Sequence, residues 1–166
     1  MTERQPLPFD PIERAGAVWS ERIGDASGMR LATSIMRVQQ LLIAEFDRVL
    51  RPFGITFARY EVLVLLSFSR TGQLALSRIG ERLMVHPTSV TNAIDRLVEQ
   101  GLVRRDVDEA DRRRVLASLT PEGKRVLKRS TAALMEIDFG LGALEEDDRE
   151  RAYELLRLVR APDFDA

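Results

Sequence analysis

Residues 88–99 read TSVTNAIDRLVE, and the groups that could do chemistry there are hydroxyls, an amide, carboxylates and a guanidinium. At about 100° per residue, Val90, Ala93, Ile94, Leu97 and Val98 fall on one side of a helix. Thr88, Ser89, Thr91, Asn92, Asp95, Arg96 and Glu99 fall on the other. The leading half of that polar side carries short donors and acceptors, which favour hydrogen bonding and hold a helix together poorly. Such a face suits recognition rather than catalysis. A Thr methyl can contact a thymine methyl, an Asn can pair bidentately with adenine, and hydroxyls reach bases or phosphates.

Other chemistry has little to work with. The chain has one histidine and no cysteine. That removes thiolate metal sites, a nucleophilic thiol, disulfides and thiol oxidation as a trigger. His86 would need carboxylates around a single imidazole to hold a transition metal, so a turn residue before Pro87 is the better reading. Asp106, Asp108, Glu109 and Asp111 imitate part of a calcium loop but lack its turn glycine and closing Glu. DEAD at 108–111 spells a helicase motif, yet no GxxxxGK[ST] occurs in the chain. With no recognisable nucleophile motif, no enzyme, cofactor or metal is expected.

The elements around this face follow from caps and periodicity. Ile12, Ala15, Trp19 and Ile23 mark a short amphipathic helix after a loose start at Pro6, Pro8 and Pro11. Ser27 is placed to cap a long helix from about Gly28 to Arg51, ended by Pro52 and Gly54. Its apolar residues cover more than one stripe, so it needs burial on more than one side, with a second subunit as the source. Its Met29 and Met36, with Phe57 and Tyr60 on the following helix, could line a ligand cavity, but core packing accounts for them better. Thr56 would cap FARYEVLVLLSFS, LALS adds a short strand, and Ser77 would cap SRIGERL, where Gly80 admits a close neighbour. Pro87 suits the first position of the next helix and Gly101 ends it. LVRRDV and VLASL then flank the charged loop DEADRRR as a projecting hairpin. Thr120 and Pro121 start a helix to about Asp138, and the last helix begins at the acidic run EEDD and ends at Pro162.

Short helix, tight turn, second helix and hairpin are the order of a winged helix-turn-helix. The fold class is therefore mainly α with a small β wing: a winged helix-turn-helix domain flanked by N- and C-terminal helices, whose assignment to dimerisation is what the family resemblance below implies. The expected division is an extension at 1–26, a helical dimerisation region at 27–55 and 121–166, and a DNA-binding domain at 56–120. Charge agrees with this. Residues 70–130 hold 13 Lys/Arg against 8 Asp/Glu, while the rest of the chain holds 12 against 18. A basic middle between acidic flanks suits a polyanion. No apolar signal region is visible at the N-terminus and no run approaches the roughly 18 apolar residues of a membrane span, so a cytoplasmic protein with no membrane partner is expected.

The stretch LALSRIGERLMVHPTSVTNAIDRLVEQGLVRRDVDEADRRRVLASLTPEG resembles the core of the MarR (multiple antibiotic resistance regulator) transcription factors. The specific pieces are VTNAIDRLVEQGLVRR, the wing DEADRRR and LTPEG. The likeness is close over about 74–123 and looser over the flanking helices. It implies a homodimer that binds double-stranded DNA at a pseudo-palindromic operator and responds to a small aromatic effector. It places Pro87, Thr88, Ser89, Thr91, Asn92 and Arg96 on the recognition helix, and Ser77 at the start of the bracing helix is counted with them. It places Asp111, Arg112 and Arg113 on the wing, Asp111 orienting it and Arg113 at the usual minor-groove position. The family often has Arg or Lys where this chain has Asn92, so readout there differs. That departure, with a formal net charge of −1, motivates one alternative: a winged-helix protein-interaction module without DNA binding.

Overall fold

The structure, a computed structural model, describes residues 7–161. Pro6 and Pro162, assigned above to the loose start and to the end of the last helix, lie outside them. The chain forms two compact units, Met1–Ala44 and Glu45–Ala166.

In the first unit, α1 (Pro11–Arg22) starts at Asp10. The Asp10 carboxylate accepts the Ile12 and Glu13 N–H groups at 2.8 and 3.4 Å. Pro11 takes the first helical position, where its missing N–H costs nothing. The next helix, α2 (Ser27–Leu50), is not capped by Ser27, which lies inside it. The Ala26 carbonyl accepts the Arg30 N–H at 2.9 Å, while the Ser27 N–H and hydroxyl both donate to Asp25. Those bonds hold the Asp25 carboxyl below its usual range. An ion pair between Glu13 and Arg30 ties α1 to α2. Among the described residues of this unit only Gly16 and Ala26 are buried, whereas Trp19, Leu31, Met36, Val38 and Leu41 are at least one-third exposed.

The second unit begins with the last turn of α2, whose Phe46 and Leu50 are buried. A 3₁₀ turn at Arg51–Phe53 carries Pro52, and Gly54 reverses the chain at φ 72°. Helix α3 (Phe57–Ser67) is the centre of the domain: Tyr60, Val62, Leu63 and Leu66 are buried against α4, α5, α6 and β3. Thr56 sits at its N-cap position but makes no side-chain cap bond. The Asp47 carboxylate, ten residues earlier, accepts the Phe57 N–H instead at 2.7 Å. The Phe57 and Tyr60 rings are 5.9 Å apart, and Phe57 also meets Phe46 at 4.6 Å. Tyr60 is therefore core with Phe57 half-buried beside it, whereas on α2 Met29 is half-buried and Met36 is exposed, so core packing does not account for Met36.

The expected strand at LALS is β1 (Gln73–Ala75), and α4 (Leu76–Leu83) follows it directly. After α5 (Pro87–Glu99) come β2 (Val103–Val107) and β3 (Val115–Leu119). The sheet has three antiparallel strands in the order β1-β3-β2, one more than a simple hairpin. Ala117 faces Leu74 on one side and Arg105 on the other and is fully buried.

Helix α6 (Pro121–Glu136) starts at Thr120, whose hydroxyl accepts the Gly123 N–H at 3.0 Å and donates to the Gly101 carbonyl at 2.7 Å. The chain turns at Asp138–Gly140 and enters α7 (Glu146–Arg160). Glu146, Asp147 and Asp148 sit at the positive end of its dipole. No residue of α7 is buried. No helix among the described residues is long and apolar enough to cross a membrane.

Candidate nucleic-acid interface

Helix α4 braces α5 through a tight corner. Met84 adopts φ 53°, a left-handed conformation uncommon outside glycine, and the Val85 N–H donates back to the Gly80 carbonyl at 3.1 Å. A Cβ at Gly80 would lie 3.3 Å from Val85 O and from Val90 Cγ2. The glycine therefore sets how closely α5 approaches. Ser77 is exposed in the first turn of α4 but does not cap it; Ala75 holds the N-cap position without a side-chain bond. Strand β1 runs straight into the helix, so the hydroxyl falls two residues past the cap position.

His86 caps α5: its Nδ1 is placed to accept the Thr88 N–H at 3.3 Å, ahead of Pro87. Only the residue type and its place before Pro87 hinted at this role. Val90, Ile94 and Leu97 form the buried seam against α3, α4 and β2. Val98, assigned above to that seam, is 38% exposed. It stands at the flank of the apolar arc, beyond the reach of the bracing elements.

The opposite face is open. Pro87, Thr88, Ser89, Asn92 and Arg96 are exposed. Thr91 is half-buried, and its hydroxyl donates to the Pro87 carbonyl at 3.2 Å within the helix. With Ser77 it lines a cleft of about 550 Å³ between α4 and α5. Arg96 pairs with Glu99 at 2.8 Å. Asp95 pairs with Arg105 of β2 at 2.7 Å, linking α5 to the root of the hairpin.

At the hairpin tip, Asp111 orders the turn. Its carboxylate accepts the Arg113 N–H at 3.0 Å and its carbonyl accepts the Arg114 N–H at 2.8 Å. Arg114 lies 3.5 Å from Asp108. Arg112 and Arg113 are exposed and have no ion-pair partner among the described residues. The tip thus presents two free guanidinium groups on a turn fixed by Asp111.

Comparison with known proteins agrees with this geometry. The MarR family model matches residues 55–115, from the residue before Thr56 to the start of β3. The chain is 32% identical over 111 residues to the HTH-type transcriptional regulator YhbI of Bacillus subtilis, covering 67% of this chain and 70% of that one. Among solved structures, it resembles Sco5413, a MarR family transcriptional regulator from Streptomyces coelicolor. The identity is 50% and the TM-score 0.78, over 84% of this chain and 98% of that one. It also resembles Sco3205 of the same organism, another MarR family regulator, solved in complex with DNA, at 25% identity and TM-score 0.74 over 82% and 90% of the two chains. A braced helix with an open polar face, a hairpin tipped with arginines and half-identity over nearly the whole of a solved relative make the assignment: the chain belongs to the MarR family of transcriptional regulators.

Proposed function

We propose that this regulator acts as a homodimer that reads a pseudo-palindromic operator in double-stranded DNA, with α5 in the major groove and the wing 106–114 in an adjacent minor groove. The observation that carries the reading is the α5 face bearing Thr88, Ser89, Asn92 and Arg96, exposed among the described residues of its unit, flanked by the free Arg112 and Arg113. Thr88, Ser89 and Asn92 read base edges, and Arg96, still paired with Glu99, turns its remaining N–H donors toward bases or phosphates. Arg113 enters the minor groove, where negative potential is strong, and Asp111 sets its direction. Ser77 and Thr91 stand beside the reading face at the α4–α5 cleft, where they position the helix on the strand.

Dimerisation is assigned to 27–55 and 121–166, with 56–120 as the DNA-binding domain and 1–26 as an extension. Leu31, Met36, Val38 and Leu41 on α2 are each about half exposed or more. So are Tyr153, Leu155, Leu158 and Val159 on α7. Apolar surface of this extent supports burial by a second copy. An effector that alters the spacing of the two recognition helices would regulate binding. A cleft of about 320 Å³ lined by Tyr60, Glu61, Phe68 and Phe139 is of a size to admit a small aromatic molecule. The reading places the protein in the cytoplasm with the DNA.

The test is selection of bound genomic fragments at low salt, repeated with a panel of small aromatic ligands. Half-sites about 10 bp apart are expected from two-fold symmetry. Asn92→Ala should relax preference at one base position by roughly 1–3 kcal/mol if its contact is bidentate. Replacing Arg112 and Arg113 together by Ala should weaken binding to every sequence and flatten its salt dependence. A wild-type protein that retains no fragment at low salt defeats the proposal.

A further inference from the structure

Between the first turn of α3 and the outer face of α5 lies a second cleft, of about 530 Å³, walled by Thr56, Arg59, Asn92, Asp95, Arg96 and Glu99. We propose that this cleft seats a phosphodiester group of the bound DNA strand, held by the Arg59 guanidinium and the Thr56 hydroxyl. The inference rests on the placement of α5 in the major groove and extends the contact surface to a helix outside the helix-turn-helix pair.

Three observations carry it. Arg59 is half-exposed and has no ion-pair partner among the described residues, although two carboxylates line the same cleft. Those carboxylates are already engaged, Asp95 by Arg105 at 2.7 Å and Glu99 by Arg96 at 2.8 Å. Each pair is neutral, so the uncompensated charge of the cleft is that of Arg59. Thr56 is equally unoccupied. It stands at an N-cap position, yet its hydroxyl makes no cap bond; the Arg59 N–H goes to the Thr56 carbonyl at 3.1 Å, and Asp47 holds the neighbouring Phe57 N–H at 2.7 Å. A free guanidinium and a free hydroxyl three residues apart therefore open onto one space. The far wall of that space carries Asn92 and Arg96 of the reading face. When those two side chains enter the groove, the space beside them meets the sugar–phosphate ridge that bounds it. Arg is well matched to phosphate, and such contacts fix register without reading sequence.

The test is titration of the selected operator by fluorescence anisotropy between 50 and 200 mM salt. It compares the wild-type protein with Arg59→Ala, Arg59→Lys and Thr56→Val, with thermal melts to establish that each variant is folded. Losing one phosphate contact lowers the slope of log K against log salt by about 0.9. The wild-type protein should therefore weaken about 3.5-fold more than Arg59→Ala across that range. Arg59→Ala should lose about tenfold at 50 mM on operator and unrelated DNA alike, since removing a charged partner weakens both. Arg59→Lys should keep the slope, and Thr56→Val should lose affinity by a smaller factor. An unchanged slope in Arg59→Ala, in a wild-type protein that binds, overturns the phosphate contact alone. So does a loss confined to the operator, which would mean base readout. Absence of wild-type binding overturns the DNA-binding reading with it.

Discussion

Replacing Gly123 by Ala sets a local rule against tertiary packing. Gly123 lies in the first turn of α6 and is buried. By helix propensity alone, Ala should stabilise such a position by up to about 1 kcal/mol. The structure gives the opposite sign. A Cβ built at Gly123 falls 2.0 Å from the Leu102 carbonyl oxygen, and real Cβ atoms essentially never come within 3.0 Å of a neighbour. The obstacle is backbone, so one chain must retreat by about 1 Å. That carbonyl accepts the Thr120 N–H at 3.1 Å and the Thr120 hydroxyl at 3.2 Å. Retreat disturbs both, together with the cap bond to Gly123 itself. Overpacking costs roughly 1–3 kcal/mol, and each weakened hydrogen bond adds about 1 kcal/mol or less. After the propensity gain, the net loss is roughly 2–4 kcal/mol, a fall in Tm of roughly 5–15 °C for a chain of this size. Urea denaturation at fixed protein concentration measures it, since oligomerisation makes stability concentration-dependent. Gly28→Ala is the matched control. It is a helical glycine whose Cβ meets nothing within 4 Å, and it should gain up to about 1 kcal/mol. A Gly123→Ala protein as stable as the wild type would refute the packing argument.

Capping of α3 gives a second comparison. Asp47→Ala should cost about 1 kcal/mol in urea denaturation, because it removes the acceptor of the Phe57 N–H, whereas Thr56→Ala should change stability by a few tenths at most. The reverse order would restore Thr56 as the cap. Glu61 sits beside Tyr60, Val64 and Leu65, and desolvation pushes its carboxyl above the usual range. A raised acid favours the folded state below the ordinary carboxylate pKa and loses that contribution as pH rises through the folded value. Glu61→Gln should therefore stabilise the protein at pH 7, by less than about 1 kcal/mol given its exposure, and the gain should vanish toward pH 4. Tm profiles of both proteins against pH decide it; a gain that persists at low pH would show that desolvation of the charge is not the cause.

Local chemistry in the sequence determined much of this protein. Pro87 and Gly101 bound α5 because one lacks the N–H that a first turn leaves idle and the other takes φ 70° freely. The spacing of Val90, Ile94 and Leu97 chose the buried face, and with it the open face of Thr88, Ser89, Asn92 and Arg96. The short runs LVRRDV and VLASL on either side of the charged loop DEADRRR gave the two wing strands. What depends on distant partners was not legible. Thr56 and Ser77 have the right residue type for caps, but the side-chain bond to the first turn of α3 comes from Asp47, and β1 ran directly into α4. Val98 belongs to the apolar side of a wheel, yet packing within the described residues leaves it 38% exposed. The pairing of Asp95 with Arg105 and of Arg96 with Glu99, which leaves Arg59, Arg112 and Arg113 free, follows from where α3, α5 and the hairpin stand in space. Sequence fixes which groups can bond, because that is set by residue type and local spacing; tertiary structure decides which of them are already taken, because competition among donors and acceptors is settled only once the chain has brought them together.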